Sequence, residues 1–263
     1  MIGWIVTLLA LGAIAAPFIF FWRERAKSRK DLELGLAEPA RALLDRRIAH
    51  LRLLTPAQRQ RYEASVRRFV ASKRYYGCDG LELTDEMGLL IAGLACLLIL
   101  RPGAEVFPRL RSVLLYPGAF KVRHEEPDDL GLVDDDGEER IGESWQGDRV
   151  ILSWDDVKSA LDGGELNVVA HEFAHQLDAQ EPMHEGAPPL KDYQRWSRVM
   201  LDAYAELQQK GSPVLDEYGT ESPAEFFAVA TETYFQRGAA LRRHHAALYG
   251  LLKDYYGLDT AAL

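Results

Sequence analysis

The 263-residue chain has little cysteine, no surplus of basic charge, no internal repeat and no low-complexity tract. Cys78 and Cys96 alone cannot supply the disulfide framework of a small secreted domain or a cysteine-built metal site. Cys96 sits inside the apolar run LLIAGLACLLIL, as a small buried hydrophobe does, and the scarcity of thiols points to a reducing compartment. A formal net charge of −9 argues against a general polyanion binder, because affinity for nucleic acid rests largely on Lys and Arg neutralising phosphates. No nucleic acid partner is expected. The length suits one sizeable core, with or without an appendage.

Charge is missing altogether from Met1 to Trp22, MIGWIVTLLALGAIAAPFIFFW. That length crosses a hydrocarbon core of about 30 Å at about 1.5 Å per residue, so a transmembrane anchor is expected over 1–22. Pro17 would kink such a helix but is tolerated in lipid. A cleaved signal peptide would carry positive charge before its apolar region. Here Arg23, Arg25, Lys27, Arg29 and Lys30 follow it, which by the positive-inside rule places the remainder on the cytoplasmic side. The expectation is a single-pass protein of a bacterial inner membrane, with a basic juxtamembrane linker over 23–38 and the functional body over 39–263.

Within the body, Leu43, Ile48, Leu51 and Leu53, then Tyr62, Val66 and Phe69, recur at helical spacing on either side of a start signal at Thr55 to Gln58. Thr84 caps the next apolar run, which is uncharged from Met87 to Leu100 and too short to span a bilayer; it reads as a buried core helix. SVLLYPGAFKV and RVILSW read as short strands. The acidic passage between them, EEPDDLGLVDDDGEER, lacks calcium-loop spacing and reads as a solvated loop or hairpin. Helical periodicity then persists to the C-terminus. The order of helices, small sheet and helices predicts an α+β fold. RVILSW is either an ordinary core strand or an edge that pairs with an extended peptide.

The chemistry concentrates in NVVAHEFAHQLD, Asn167 to Asp178. On a helix, His171 and His175 share one face a turn apart and can present two imidazoles to one ion. This is H-E-x-x-H: catalytic zinc takes three protein ligands and a water, and Glu172 beside the first ligand is placed to take a proton from that water. A chance cluster on an apolar helix is the other reading, yet a buried His-Glu-His group without a cation would be costly. A third ligand is required. Glu225 in YGTESPAEFFAVATETYF is a candidate, but Ser222, Pro223 and Glu225 also spell an ordinary capping box, and spacing alone favours the cap. Glu232, seven residues on, could support a histidine from behind. Asp178 either accepts from a ligand imidazole or ends the helix in solvent. His184, His244 and His245 read as surface residues, and His50 and His124 have no motif around them.

The series GCDGLELTDEM, VLLYPGAF, GESWQGDRVILSWDDV, NVVAHEFAHQLD and YGTESPAEFFAVATETYF, from about Arg61 to Gly257, resembles the Mlc titration factor A family of zinc-dependent metallopeptidases. The resemblance implies a zincin-like fold, mostly helical with a small sheet beside the active-site helix, here preceded by the expected transmembrane helix. It implies zinc on His171, His175 and Glu225, with Glu172 as general base and Tyr218 assisting catalysis, and a peptide or protein substrate. Without it, Tyr218 is only a turn aromatic before Gly219. It also implies a regulatory protein partner, for which no residue here marks a surface. The other function class is therefore a regulatory binding protein that sequesters a transcription factor, its zinc site structural. Structural zinc sites are usually closed by four protein ligands, so a base and a tyrosine beside the site favour the enzyme.

Overall fold

A computed structural model describes residues 36–118 and 148–263, apart from 182, 184 and 191. The expected anchor over 1–22, most of the linker over 23–38, the acidic passage, His124 and His184 lie outside the described residues. Among the described residues no helix is long and apolar enough to cross a membrane. That finding corrects the expected fold class, which included a transmembrane helix, and the expected single-pass inner-membrane location. Among the described residues the architecture is mostly helical, with a small three-stranded parallel sheet.

Elements are numbered among the described residues. Helix α1, Glu38–Arg47, leads through a 3₁₀ turn at Ala49–Leu53 into α2, Pro56–Ser72. The start signal at Thr55 forms as a reciprocal cap: the Thr55 hydroxyl accepts from the Gln58 N–H, and the Gln58 side chain accepts from that of Thr55. Strand β1, Arg74–Gly77, follows at once, then α3, Asp85–Cys96, whose first turn Thr84 caps. Strands β2, Ser112–Tyr116, and β3, Arg149–Ser153, complete the sheet in the order β1-β2-β3. β1 pairs in parallel with β2, Tyr75 opposite Val113, and β2 in parallel with β3, Leu114 opposite Ile151. A parallel pair needs a crossover, and α3 provides it between β1 and β2.

The apolar run reads correctly as core. From Leu90 through Leu100 every residue is buried, and each large side chain there contributes about 1.5–3 kcal/mol of burial. Gly93 is required by close packing: a β-carbon there would meet the terminal methyls of Leu44 and Ile48 at 2.7 Å, so α1 lies directly on α3.

The second half is helical: α4, Trp154–Leu161; α5, Val168–Asp178; α6, Tyr193–Lys210; a 3₁₀ turn at Glu217–Thr220; α7, Pro223–Gln236; α8, Gly238–His244; and α9, Ala246–Tyr256. Helix α5 packs on α7 along one side and touches β3, α3 and α4 on others. Its buried face is Val169, Ala170, Phe173, Ala174 and Leu177. Phe173 wedges between Phe107 and Phe69, at ring-centroid distances of 4.7 and 5.5 Å. Helix α7 is buried from Phe226 through Phe235 and is held from behind by the aromatic residues of α9, with Tyr234 stacked on Tyr256 at 5.6 Å. Two well-anchored helices thus face each other across the H-E-x-x-H motif.

Candidate metal centre

The site assembles from three short pieces of chain. Helix α5 starts where Asn167 caps it, its side-chain oxygen accepting the Ala170 N–H at 2.9 Å. With the Phe173 side buried, the helical period turns His171 and His175 outward together, ring centroids 5.0 Å apart. Helix α7 begins at Ser222, whose hydroxyl accepts the Glu225 N–H at 3.1 Å. Only that half of a capping box forms. The Glu225 carboxylate goes to the histidines, its Oε2 standing 3.2 Å from His171 Nε2 and 3.3 Å from His175 Nε2. Glu225 is therefore both a first-turn residue and the third member of the site. Tyr218, on the 3₁₀ turn between α6 and α7, lies beside them, its ring centred 6.0 Å from that of His171.

One ligand atom from each of His171, His175 and Glu225 lies within 4.8 Å of the other two. Glu225 Oε2 is buried and finds no hydrogen-bond partner among the described residues, although two ring nitrogens crowd it. A buried carboxylate oxygen in that condition is expensive unless something positive completes its surroundings. Two imidazole nitrogens and one carboxylate oxygen are a donor set that divalent zinc accepts while keeping a place for water. The residues present therefore fit a metal ion.

The charged groups of the site shift one another's titration. Burial would lower the His171 pKa, but the carboxylates of Glu225 and Glu232 on its two nitrogens outweigh that and raise it to about 9. Burial would raise Glu225, but the two imidazoles pull it down to about 2. Glu172 has no such partner: burial raises its pKa, and the charges of His171 and His175 oppose the rise without cancelling it. Burial, then the charge of Glu225, raise Tyr218, which keeps its phenol protonated as a donor.

The remaining sequence candidates separate. Glu232 reaches the site, its Oε2 3.2 Å from His171 Nδ1. Asp178 reaches neither imidazole with a hydrogen bond and instead accepts the Ala187 N–H at 2.9 Å, closing the loop after α5. His50 is half-buried, its Nε2 donating to the Phe235 carbonyl at 2.8 Å. His244 is exposed as expected, but the surface reading of His245 is corrected: its side chain is 7% exposed and its Nε2 lies 2.8 Å from the Ser212 hydroxyl. Two structural residues went unrecognised in the sequence, Gln236, which holds Asn167, and Ser212. Gln236 carried a signal, being one turn beyond Glu232; Ser212 carried none.

Comparison with known proteins places this geometry in context. The model of a family described as glucose-regulated metallo-peptidase M90 matches residues 21–257. An uncharacterised protein of Synechocystis sp. is 38% identical, the alignment covering 97% of this chain and 96% of the relative. A protein of Klebsiella pneumoniae named Mlc titration factor A is 33% identical over 92% of each chain. A protein of the same name from Salmonella arizonae is 32% identical over 79% of this chain and 86% of its own.

Proposed function

The chain belongs to the glucose-regulated metallo-peptidase M90 family, and from that membership and the geometry of its site we propose a zinc-dependent peptidase that cleaves peptide bonds in a peptide or protein substrate. The observation that carries the reading is Glu225 Oε2, buried, without a hydrogen-bond partner, and 3.2 to 3.3 Å from both motif imidazoles.

His171, His175 and Glu225 would hold the ion. When bound, zinc polarises a peptide carbonyl and lowers the pKa of a water toward neutrality. Glu172 directly follows the first of the two histidines, about 100° around the helix, and so lies beside their face rather than on it. Its raised pKa brings its basicity nearer working pH, where it takes a proton from water and returns it to the leaving amine. Tyr218 is 46% exposed with its ring centred 6.0 Å from that of His171, so its hydroxyl is available to a substrate carbonyl oxygen as charge builds there. The catalytic unit is the body over 39–263, to which all five residues belong.

A second reading is supported by the name of the Klebsiella and Salmonella relatives, Mlc titration factor A: a regulatory protein that binds a partner, with the metal site serving structure. One experiment separates the two. The whole chain and its Glu172→Gln variant are assayed for zinc content and for cleavage of a broad peptide library. Equal zinc with a loss of about 100-fold or more in rate is expected for the variant. Wild-type protein that holds zinc stoichiometrically and cleaves nothing in the library would overturn the peptidase reading in favour of the binder.

A further inference from the structure

Helix α7 brings a second carboxylate to the metal helix, behind the first. Glu232 follows Glu225 by two helical turns, so both project from one face of α7 toward α5. Its two oxygens take two different donors. Oε1 accepts the backbone N–H of Asn167 at 2.9 Å, and Oε2 stands 3.2 Å from His171 Nδ1. Asn167 is the residue that caps α5, and its own amide donates to Gln236 Oε1 at 3.3 Å. Gln236, one turn past Glu232, donates in turn to the carbonyls of Ala160 and Gly164 in the chain leading to α5. The start of the metal helix is thus clasped by one face of the helix that supplies Glu225.

We infer that Glu232 is a positioning residue of the metal centre, holding the proton on His171 Nδ1 so that Nε2 faces the ion, and fixing the approach of α7 to α5 through the same carboxylate. The inference rests on the metallopeptidase reading. Each Glu232 oxygen takes one donor, the Asn167 N–H on Oε1 and His171 Nδ1 on Oε2, so Nδ1 is the ring atom this carboxylate holds, whereas Glu225 Oε2 is shared between the Nε2 atoms of both histidines. Nε2, on the Glu225 side, is then the ring atom left for a cation. A carboxylate on the far nitrogen also fixes the ring plane and makes the ligand more basic. Asp178, the other acid near the motif, is engaged with the Ala187 N–H. Among the described residues Glu232 is therefore the carboxylate that backs a ligand imidazole. Its second bond gives it a further role. Because Oε1 holds the backbone at the N-cap of α5, any shift of α7 that moves Glu225 also moves the origin of the helix bearing both histidines, and the three ligands travel as a unit.

The test uses the full chain, zinc alone as the probe, and three proteins: wild type, Glu232→Gln and Glu232→Ala. Zinc affinity is measured by competition with a chromogenic chelator, and circular dichroism of the metal-free proteins verifies folding. Glu232→Ala is expected to bind zinc about 10- to 100-fold more weakly, and Glu232→Gln to lie between it and wild type, since an amide oxygen still accepts one of the two hydrogens. A second readout needs no activity. In the zinc-loaded wild type the His171 Nδ1 proton gives a downfield, slowly exchanging resonance, which the alanine variant lacks. Folded variants that bind zinc within about twofold of wild type and keep that resonance would overturn this inference alone. Wild type that binds no zinc would remove the metallopeptidase reading, and this inference with it.

Discussion

Replacing Phe173 by Ala tests whether the metal helix is held in place from its back. Phe173 is fully buried on α5, two residues from His171 on the opposite face, and its ring meets Phe107 edge-on at 4.7 Å and Phe69 at 5.5 Å. Phe69 and Phe107 also meet each other, at 6.0 Å, so the three rings form a closed cluster that cannot collapse when one is removed. The upper part of the range for such truncations applies, about 3–5 kcal/mol, edge-on ring contacts included. For a body of this size that lowers the melting temperature by about 6–20 °C. Metal-free protein is unfolded in urea at 25 °C and by heat, for wild type and variant. The same variant is then measured with zinc at about a thousandfold excess over its dissociation constant, where binding to the folded state returns about 4 kcal/mol. A destabilisation below about 1 kcal/mol in the metal-free protein would refute the claim that this cluster seats the helix. Full destabilisation with no recovery on adding zinc would show that the helix, once loosened, no longer presents its imidazoles together.

Three further outcomes are expected. Tyr218→Phe should lower kcat by about 100- to 1,000-fold with zinc content unchanged if, as proposed, the hydroxyl meets the developing charge and not an ion; titrating zinc beside the peptide assay decides this. Gly186→Ala should cost about 1–3 kcal/mol and weaken zinc binding, because φ is 74° there and a β-carbon would stand 2.5 Å from the Pro223 carbonyl oxygen at the start of α7; thermal melts with and without zinc measure both effects. Burial depresses the folded-state pKa of His50 below its ordinary 6.5, so the unfolded chain takes up a proton that the folded chain refuses. This contribution to stability is complete above pH 6.5 and is lost as pH falls below it; melting temperatures from pH 7.5 to 5 should fall more steeply for wild type than for His50→Gln, and parallel curves would contradict the assignment.

Much of the site was legible because its signals are local. Thr55, Thr84, Asn167 and Ser222 announce helix starts through residues two to four positions away, and each caps as read or as its residue type favours. The spacing of His171 and His175 needs only the helical period. Glu225 was ambiguous for the opposite reason: a capping glutamate and one aimed at two histidines have the same local sequence, and only the arrival of α5 distinguishes them. β1 was missed. It is four residues long, mostly exposed, and owes its existence to a partner 38 residues away through the α3 crossover, so neither alternation nor burial marks it. The parallel sense of the sheet is likewise a property of that crossover. The membrane span was inferred from an uncharged stretch that the described residues do not include, and no helix among them repeats its character.

The Ser212 hydroxyl accepts the backbone N–H groups of Val214 and Leu215 at 3.2 and 3.1 Å while its oxygen lies 2.8 Å from His245, at the junction of α8 and α9. Asp216, at the end of that same loop, accepts the Tyr218 N–H at 2.8 Å. Helices α8 and α9 are in this way moored to the tyrosine beside the two imidazoles. A chain shortened to end after Gln236 would still encode both histidines, all three glutamates and Tyr218, yet the rope that steadies the tyrosine would be cut.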